Sequence, residues 1–145
     1  MEDIATYFKR DRFAEHVGVE LLEVSKGRAR ARLVVQERHL NTIRTVHGGA
    51  IFALADFAFA VASNSHGTVA VGINVNISYV KAATGGVLVA EARETSLSPR
   101  LATYTVEIKD EADELVAIFQ GMVYRKKDPL PYEQNGSSGH RGEEH

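Results

Sequence analysis

The stretch VHGGAIFALADFAFAVASN, residues 46–64, decides the fold of this chain. From Ala50 to Ala62 every side chain except Asp56 is apolar. An apolar run of this length, opened by a glycine pair and followed by Gly67, predicts a helix over about residues 48–65. A helix without a polar stripe is expected to be covered by protein on every side. We therefore expect this helix at the centre of the domain, with a single carboxylate among apolar neighbours.

The segments around this helix alternate as β-strands do. Strands are predicted at residues 19–24 and 28–35, with a hairpin turn between them, and then at about 69–79, 87–96, 101–110 and 114–125. The strand from Val69 is expected to keep an unbroken period of two, with Val71 and Ile73 on one face and Gly72 on the other. This order predicts an α+β fold in which the helix packs on sheet.

The remaining segments are expected to be peripheral. Residues 2–16 have helical composition, with Ile4, Phe8 and Phe13 as docking residues, and residues 36–46 form a loop. Arg28, Arg30 and Arg32 share one strand face, which is either a solvated surface or an attraction for an anionic nucleotide. One domain is expected over residues 1–127, and the Pro-, Gly- and Ser-rich residues 128–145 are expected to be a disordered tail.

Composition restricts the function classes. The 145 residues include no cysteine, which excludes disulfides, thiolate nucleophiles and cysteine-bound zinc. A formal net charge of -2 gives no broad basic surface for nucleic acid. His16, His39 and His66 lack metal-ligand spacing and are expected on the surface or in loops, so neither a metal nor a cofactor is expected. There is no hydrophobic signal core and no run long enough to span a bilayer, so we expect a cytoplasmic protein.

Asp56 admits two interpretations. Its carboxylate either reaches solvent or a distant arginine, or it has a chemical role. The chemical role is favoured by His47, Gly48 and Gly49, because unpaired N–H groups at a helix start can stabilise a developing negative charge. Two glycines there also let another molecule approach the backbone. Asn41, six residues before His47, adds an amide, and together these groups suit attack on a carbonyl.

These residues resemble a known family. The segments HLN (39–41), VHGGAIFALADFAFAVASNSHG (46–67) and NVNISYVKAATGG (74–86) are similar to hotdog-fold acyl-CoA thioesterases of the PaaI-like group, and the likeness covers roughly residues 13–125. The resemblance implies a long helix wrapped by an antiparallel sheet, and hydrolysis of acyl-CoA.

The resemblance also implies residue roles. Asp56 would be the general base or nucleophile, Gly48 the backbone donor to the thioester carbonyl, and Asn41 the group that orients water or substrate, with His47 supporting the loop. Gly72 matches the position where some relatives hold the catalytic water through a hydroxyl. Tyr79, Ser98 and Arg100 fall where relatives contact CoA, although a solvated turn charge is an equal alternative for Arg100.

The same residues are compatible with two other activities, and their spacing bears on assembly. A non-catalytic acyl-CoA-binding module is the alternative to the enzyme, and a hotdog dehydratase would need a histidine–acid pair for proton abstraction. Gly48 and Asp56 lie eight residues apart, hence about 12 Å along one helix at about 1.5 Å per residue. This distance is too long for one thioester carbon. We therefore expect a homodimer, or a dimer of dimers, in which antiparallel helices from two copies complete each site.

Overall fold

The computed structural model describes residues 3–131. In chain order, its elements are helices α1 (Ile4–Phe8) and α2 (Arg12–Val17), strands β1 (Val19–Ser25) and β2 (Arg28–Val34), a 3₁₀ turn (Glu37–His39), helix α3 (Gly48–Asn64), and strands β3 (Thr68–Tyr79), β4 (Val87–Leu97), β5 (Leu101–Lys109) and β6 (Leu115–Pro129). The predicted helix and all six predicted strands are therefore present. No helix in the described range is long and apolar enough to cross a membrane.

The strands form one antiparallel sheet in the order β1-β2-β4-β5-β6-β3. Helix α3 carries the chain from β2, near one edge, to β3 at the opposite edge. Among the described strands β3 pairs only with β6, so its other edge has no partner strand there. This placement puts β3 and the face of α3 beside it at the open side of the molecule.

Helix α3 forms the core with the inner face of the sheet. Several inner positions of β2 and β4 are alanines, as at Ala31 and Ala90, which are fully buried, and their small side chains let the helix approach closely. Phe59 packs against Tyr104 and Phe119 with ring centroids 5.9 and 5.3 Å away. Burying one such aromatic side chain contributes roughly 1.5–3 kcal/mol, so the sheet and helix stabilise each other.

The end of α3 is tied directly to the start of β3. The side chain of Asn64 donates from Nδ2 to the Ala60 carbonyl at 2.8 Å and accepts the Ala70 N–H on Oδ1 at 3.0 Å. Gly67, between them, has φ +96°, a left-handed conformation that glycine adopts without strain. These contacts fix β3 alongside α3 and thereby set the shape of the groove between them.

The expected unbroken alternation of β3 is wrong. Its register shifts between Gly72 and Asn74, where a β-bulge adds a residue, and a bulge changes which face the following side chains occupy. Val71 pairs with Tyr124 and is 46% exposed, whereas a Cβ added to Gly72 would lie 3.1 Å from the Phe59 ring. Gly72 therefore faces the helix and Val71 faces away from it, on the opposite faces that the sequence predicted for these two residues.

Both ends of the domain also differ from expectation. The N-terminal segment is two helices, and Phe13 is 67% exposed rather than docked. Strand β6 runs past the boundary predicted at residue 127 to Pro129, and the Leu130 N–H donates to the Gly67 carbonyl. Residues 128–131 therefore belong to the folded body, and the rest of the predicted tail lies outside the described residues.

The arginine face of β2 is neutralised within the sheet. Arg30 pairs with Glu23 and Glu91, and Arg32 pairs with Glu20 at 2.6 Å. These pairs are partly exposed and each contributes little to stability. The glutamates do, however, neutralise two of the three arginines on this face. This favours a solvated surface over a surface that attracts an anionic nucleotide.

Candidate active site

Asp56 projects from the middle of α3 into an open groove between the helix and β3. The groove has a volume of about 510 Å³. Its other lining residues are Phe59, Ala60, Ser63, Ala70, Gly72, Ile73, Asn74 and Val75. Asp56 is exposed in the single chain, so α3 is not covered on every side as expected. Within residues 3–131 its carboxylate has neither an ion pair nor a hydrogen bond, and the distant arginine considered above is not its partner.

The surroundings of Asp56 make its carboxylate more basic than usual. Desolvation by the apolar walls raises its pKa above the ordinary aspartate value, and the negative charge of nearby Asp11 raises it further. Both causes disfavour the charged form. A carboxylate in this state is a stronger base or nucleophile than a solvated one, so the groove suits acid–base or nucleophilic chemistry.

The N-terminus of α3 presents one free amide. Its cap is His47, whose Nδ1 accepts the Gly49 N–H at 2.8 Å, and the His47 carbonyl accepts the N–H groups of Ala50 and Ile51. The Gly48 N–H is left without a partner among the described residues. An unpaired N–H at a helix start is a donor for a negatively charged oxygen. His47 thus fixes the loop and leaves Gly48 as the available donor.

Tyr79, at the end of β3, holds this helix start. Its hydroxyl donates to the Gly48 carbonyl at 3.0 Å. A Cβ on Gly48 would lie 3.1 Å from the Tyr79 ring, so glycine permits the close approach. Tyr79 is also half exposed, which leaves its ring available to a ligand beside Gly48.

Asn41 organises the loop before the helix. Its Oδ1 accepts the N–H groups of Ile43 and Thr45, both at 3.1 Å, and its Nδ2 donates to Thr45 Oγ1 at 2.9 Å. Because an amide nitrogen carries two hydrogens, one donor of Asn41 remains. The loop is joined to the helix start by pairing of Leu40 with Val46, so Asn41 lies on the Gly48 side of the molecule.

The predicted residues therefore fall into separate places in one chain. Asn41, His47, Gly48, Gly49 and Tyr79 gather at the N-terminal end of α3, and Asp56 lies two turns further along with Gly72 across its groove. The exposed turn with Ser98 and Arg100 is elsewhere: the Arg100 carbonyl accepts the N–H of Arg125, which pairs with Ala70. That turn lies toward the C-terminal end of α3.

Two histidines lie in loops, as the sequence predicted, but both are more enclosed than a surface position would be and both have partners. His39 is 5% exposed and braces the loop: its Nδ1 accepts the Gln36 N–H, and its Nε2 donates to the Val17 carbonyl at 2.6 Å. His66 is partly buried and pairs through Nε2 with Glu94 at 2.7 Å. Sequence spacing gave no sign of the contacts with Val17 and Glu94, because both partners are distant in the chain. No group of three or more metal-ligating side chains occurs in the described part.

Sequence reasoning also missed Asp11, which begins α2. The signal was present, because an aspartate before a helical segment is a common N-cap. Its proximity to Asp56 depends on how the N-terminal helices dock, which local sequence does not reveal.

Comparison with known proteins identifies the family. The family model described as the thioesterase superfamily matches residues 44–117, from the loop after Asn41 to the start of β6. The chain belongs to the thioesterase superfamily. This thioesterase is 46% identical over 125 residues to an Archaeoglobus fulgidus protein named as a presumed esterase, across 86% of this chain and 81% of that protein. It is 31% identical to acyl-coenzyme A thioesterase PaaI of Escherichia coli, across 81% of this chain and 85% of that protein.

Solved structures confirm the hotdog fold. The E. coli PaaI protein superposes on this thioesterase with a TM-score of 0.82 at 30% identity, covering 85% of this chain and 90% of that one. A mutant of the phenylacetic acid degradation protein PaaI from Thermus thermophilus has a TM-score of 0.77 at 41% identity, covering 80% and 100%. The chain is a thioester hydrolase of the PaaI-like group.

Proposed function

We propose that this thioesterase hydrolyses acyl-CoA to free acid and CoA, with Asp56 as general base or nucleophile and the Gly48 N–H polarising the thioester carbonyl. The observation that carries the proposal is an unpaired, unusually basic carboxylate on the same helix as an N-terminal amide that is also unpaired among the described residues. The amide stabilises the oxyanion of the tetrahedral intermediate, and the carboxylate activates water or attacks the carbonyl itself. These are the two functions that thioester hydrolysis needs.

The proposed acyl group is short and aromatic, or of medium chain length. The groove beside Asp56 is walled by Phe59, Ile73 and Val75, which suits an apolar group. The named relatives include a phenylacetic acid degradation protein, which supports an aromatic acid. Asn41 would orient the water or substrate through its remaining N–H, and Tyr79, Gly49 and Gly72 would contact the substrate. Ser98 and Arg100 would bind the CoA part.

We further propose that each site is shared by two copies. In one chain Asp56 is two turns from Gly48, whereas two antiparallel helices place the Gly48 end of one beside Asp56 of the other. The open stripe of α3 and the unpaired edge of β3 in the described chain support such a pairing. Val71, Ile73 and Val75 are 46, 54 and 37% exposed on this strand, and a long uncharged edge strand usually requires a cover. A homodimer is the smallest assembly that forms this site, and a dimer of dimers would contain the same pairing of two antiparallel helices.

Release of free thiol from a panel of acyl-CoAs tests the activity. We expect turnover of aryl-acetyl and medium-chain substrates without added metal, and a loss of about a hundredfold or more in Asp56→Asn with substrate binding retained. Asp113→Asn is the control, since the Asp113 side chain is 86% exposed, and it should match the wild type.

The same experiment separates the enzyme from the alternative. Tight acyl-CoA binding without turnover of any substrate would indicate a non-catalytic binding module. If Asp56→Asn turned over substrate at the wild-type rate, Asp56 would have no catalytic role. The cytoplasmic location expected from the sequence stays a prediction.

A further inference from the structure

The groove beside Asp56 leads toward the C-terminal end of α3. Strand β3 runs antiparallel to this helix, and its last residue, Tyr79, donates to the Gly48 carbonyl at the start of α3. Near the start of the strand, the Ala70 N–H donates to Asn64 Oδ1 at the end of α3. The buried amide of Asn64 also donates to the Ala70 carbonyl at 3.4 Å. This amide bridges helix and strand, and the groove ends there.

Ala60 lies between Asp56 and this closed end. Positions 56, 60 and 63 share one face of α3, because residues three and four apart lie on the same side of a helix. At about 1.5 Å per residue, Ala60 is about 6 Å and Ser63 about 10 Å beyond Asp56 along the helix axis. Ala60 is half-buried, Ser63 is 3% exposed, and both line the groove. Asp56 is the one charged residue among the described residues of this lining, so the space beyond it suits an uncharged group rather than the phosphates of CoA.

The ring of Phe59 limits the depth of the groove that it lines. A Cβ added to Gly72 would lie 3.1 Å from this ring, and a Cβ added to Gly121 would lie 2.6 Å from it. The ring also packs between Tyr104 and Phe119, with centroids 5.9 and 5.3 Å away. Because these contacts leave the ring no room to move toward the sheet, a longer bound group must extend along α3 rather than deeper into the core.

We propose that Ala60 is a specificity-determining residue of the thioesterase. The acyl group passes over Ala60 and ends against Ser63, so the size of the side chain at position 60 sets the length of the acyl group that is accepted. The inference rests on the proposed function of Asp56. Each buried methylene of an acyl chain contributes favourable free energy, and the alanine methyl leaves the groove open to such a chain. A larger side chain would fill the groove about one helical turn beyond Asp56 and would admit only acyl groups that end before it.

The test compares Ala60→Leu and Ala60→Val with the wild type on the longest and the shortest acyl-CoA that the wild type turns over, for example octanoyl- and butanoyl-CoA. We expect the ratio of kcat/KM for the long substrate to that for the short one to fall about tenfold or more in Ala60→Leu, and by less in Ala60→Val. Because each ratio is taken within one variant, a loss of folded protein cancels. The matched control is Ala112→Leu, since Ala112 is exposed in the turn between β5 and β6, and its ratio should equal that of the wild type.

Inhibition by free CoA completes the test. Its inhibition constant should be the same for Ala60→Leu and the wild type, because the acyl group and not CoA lies over position 60. If the wild type is active and the ratio is unchanged in both Ala60 variants, the inference about Ala60 is overturned alone. Weaker inhibition of Ala60→Leu by free CoA would also overturn it, since the groove would then hold part of CoA. If the wild type turns over no acyl-CoA, the proposed function fails and the inference fails with it.

Discussion

Asp56 is a carboxylate in the middle of an apolar helix, without a partner in the part of the chain that the structure describes. Such a group costs stability, because the groove disfavours its charged form. The sequence was enough to single it out, since no other residue between Ala50 and Ala62 is polar. The free N–H of Gly48 could not be predicted with the same certainty. That N–H is free because the His47 ring nitrogen accepts the Gly49 N–H. The spacing of residues in the sequence does not determine such a side-chain rotamer.

Asp56 should make stability depend on pH. Its pKa is raised in the folded state, so the folded protein holds this proton more tightly than the unfolded chain does. Stability from this group is then full below the ordinary aspartate pKa and is lost as pH rises through the raised value. Asp56→Asn has no carboxyl group to ionise, so it should not lose this stability and should melt at a higher temperature than the wild type at pH 7. The difference in melting temperature should shrink at about pH 3, below the ordinary aspartate pKa. A variant that melts lower at neutral pH, or a difference independent of pH, would contradict this account.

Strand β3 is the element at which sequence periodicity and structure diverge. Residues 68–79 are apolar or uncharged at every position, so a period of two identifies the strand but not its bulge. Phe59 occupies the space left by Gly72 and Gly121 on the two neighbouring strands β3 and β6. The local sequence could therefore predict that β3 is a strand. It could not predict that Gly72 faces the helix, because this depends on the Phe59 ring in another element.

Gly121→Ala tests this packing. The added Cβ would lie 2.6 Å from two carbons of the Phe59 ring, and the ring is held between Tyr104 and Phe119. Overpacking of this kind costs about 1–3 kcal/mol, which should appear as a lower midpoint in urea denaturation. Gly85→Ala is the control, because its Cβ would meet nothing within 4 Å. Equal midpoints for Gly121→Ala and the wild type would show that Phe59 can move aside freely.

The overall fold could be predicted from the sequence, because it follows from the patterns of the individual helix and strands. An apolar helix among six strands leads to an antiparallel sheet around a central helix, and the structure has that sheet and helix. The N-terminal corner and the reach of β6 were less predictable, because both depend on long-range contacts such as Phe8 on Phe57 and Leu130 on Gly67. In one chain Asp56 is exposed beside β3, whose outer edge has no partner strand among the described residues, and the shared-site proposal explains this opening.

The measurement that tests the shared site most directly mixes two inactive variants. Asp56→Ala removes the carboxylate, and Asn41→Ala removes the residue that organises the Gly48 end. After unfolding and refolding the two together, each mixed dimer has one site with both lesions and one with neither. Random pairing makes about half of the dimers mixed, and half of their sites are intact, so we predict roughly a quarter of wild-type activity. If mixed dimers form and the mixture stays as inactive as its components, each subunit must build its site alone and the account is contradicted.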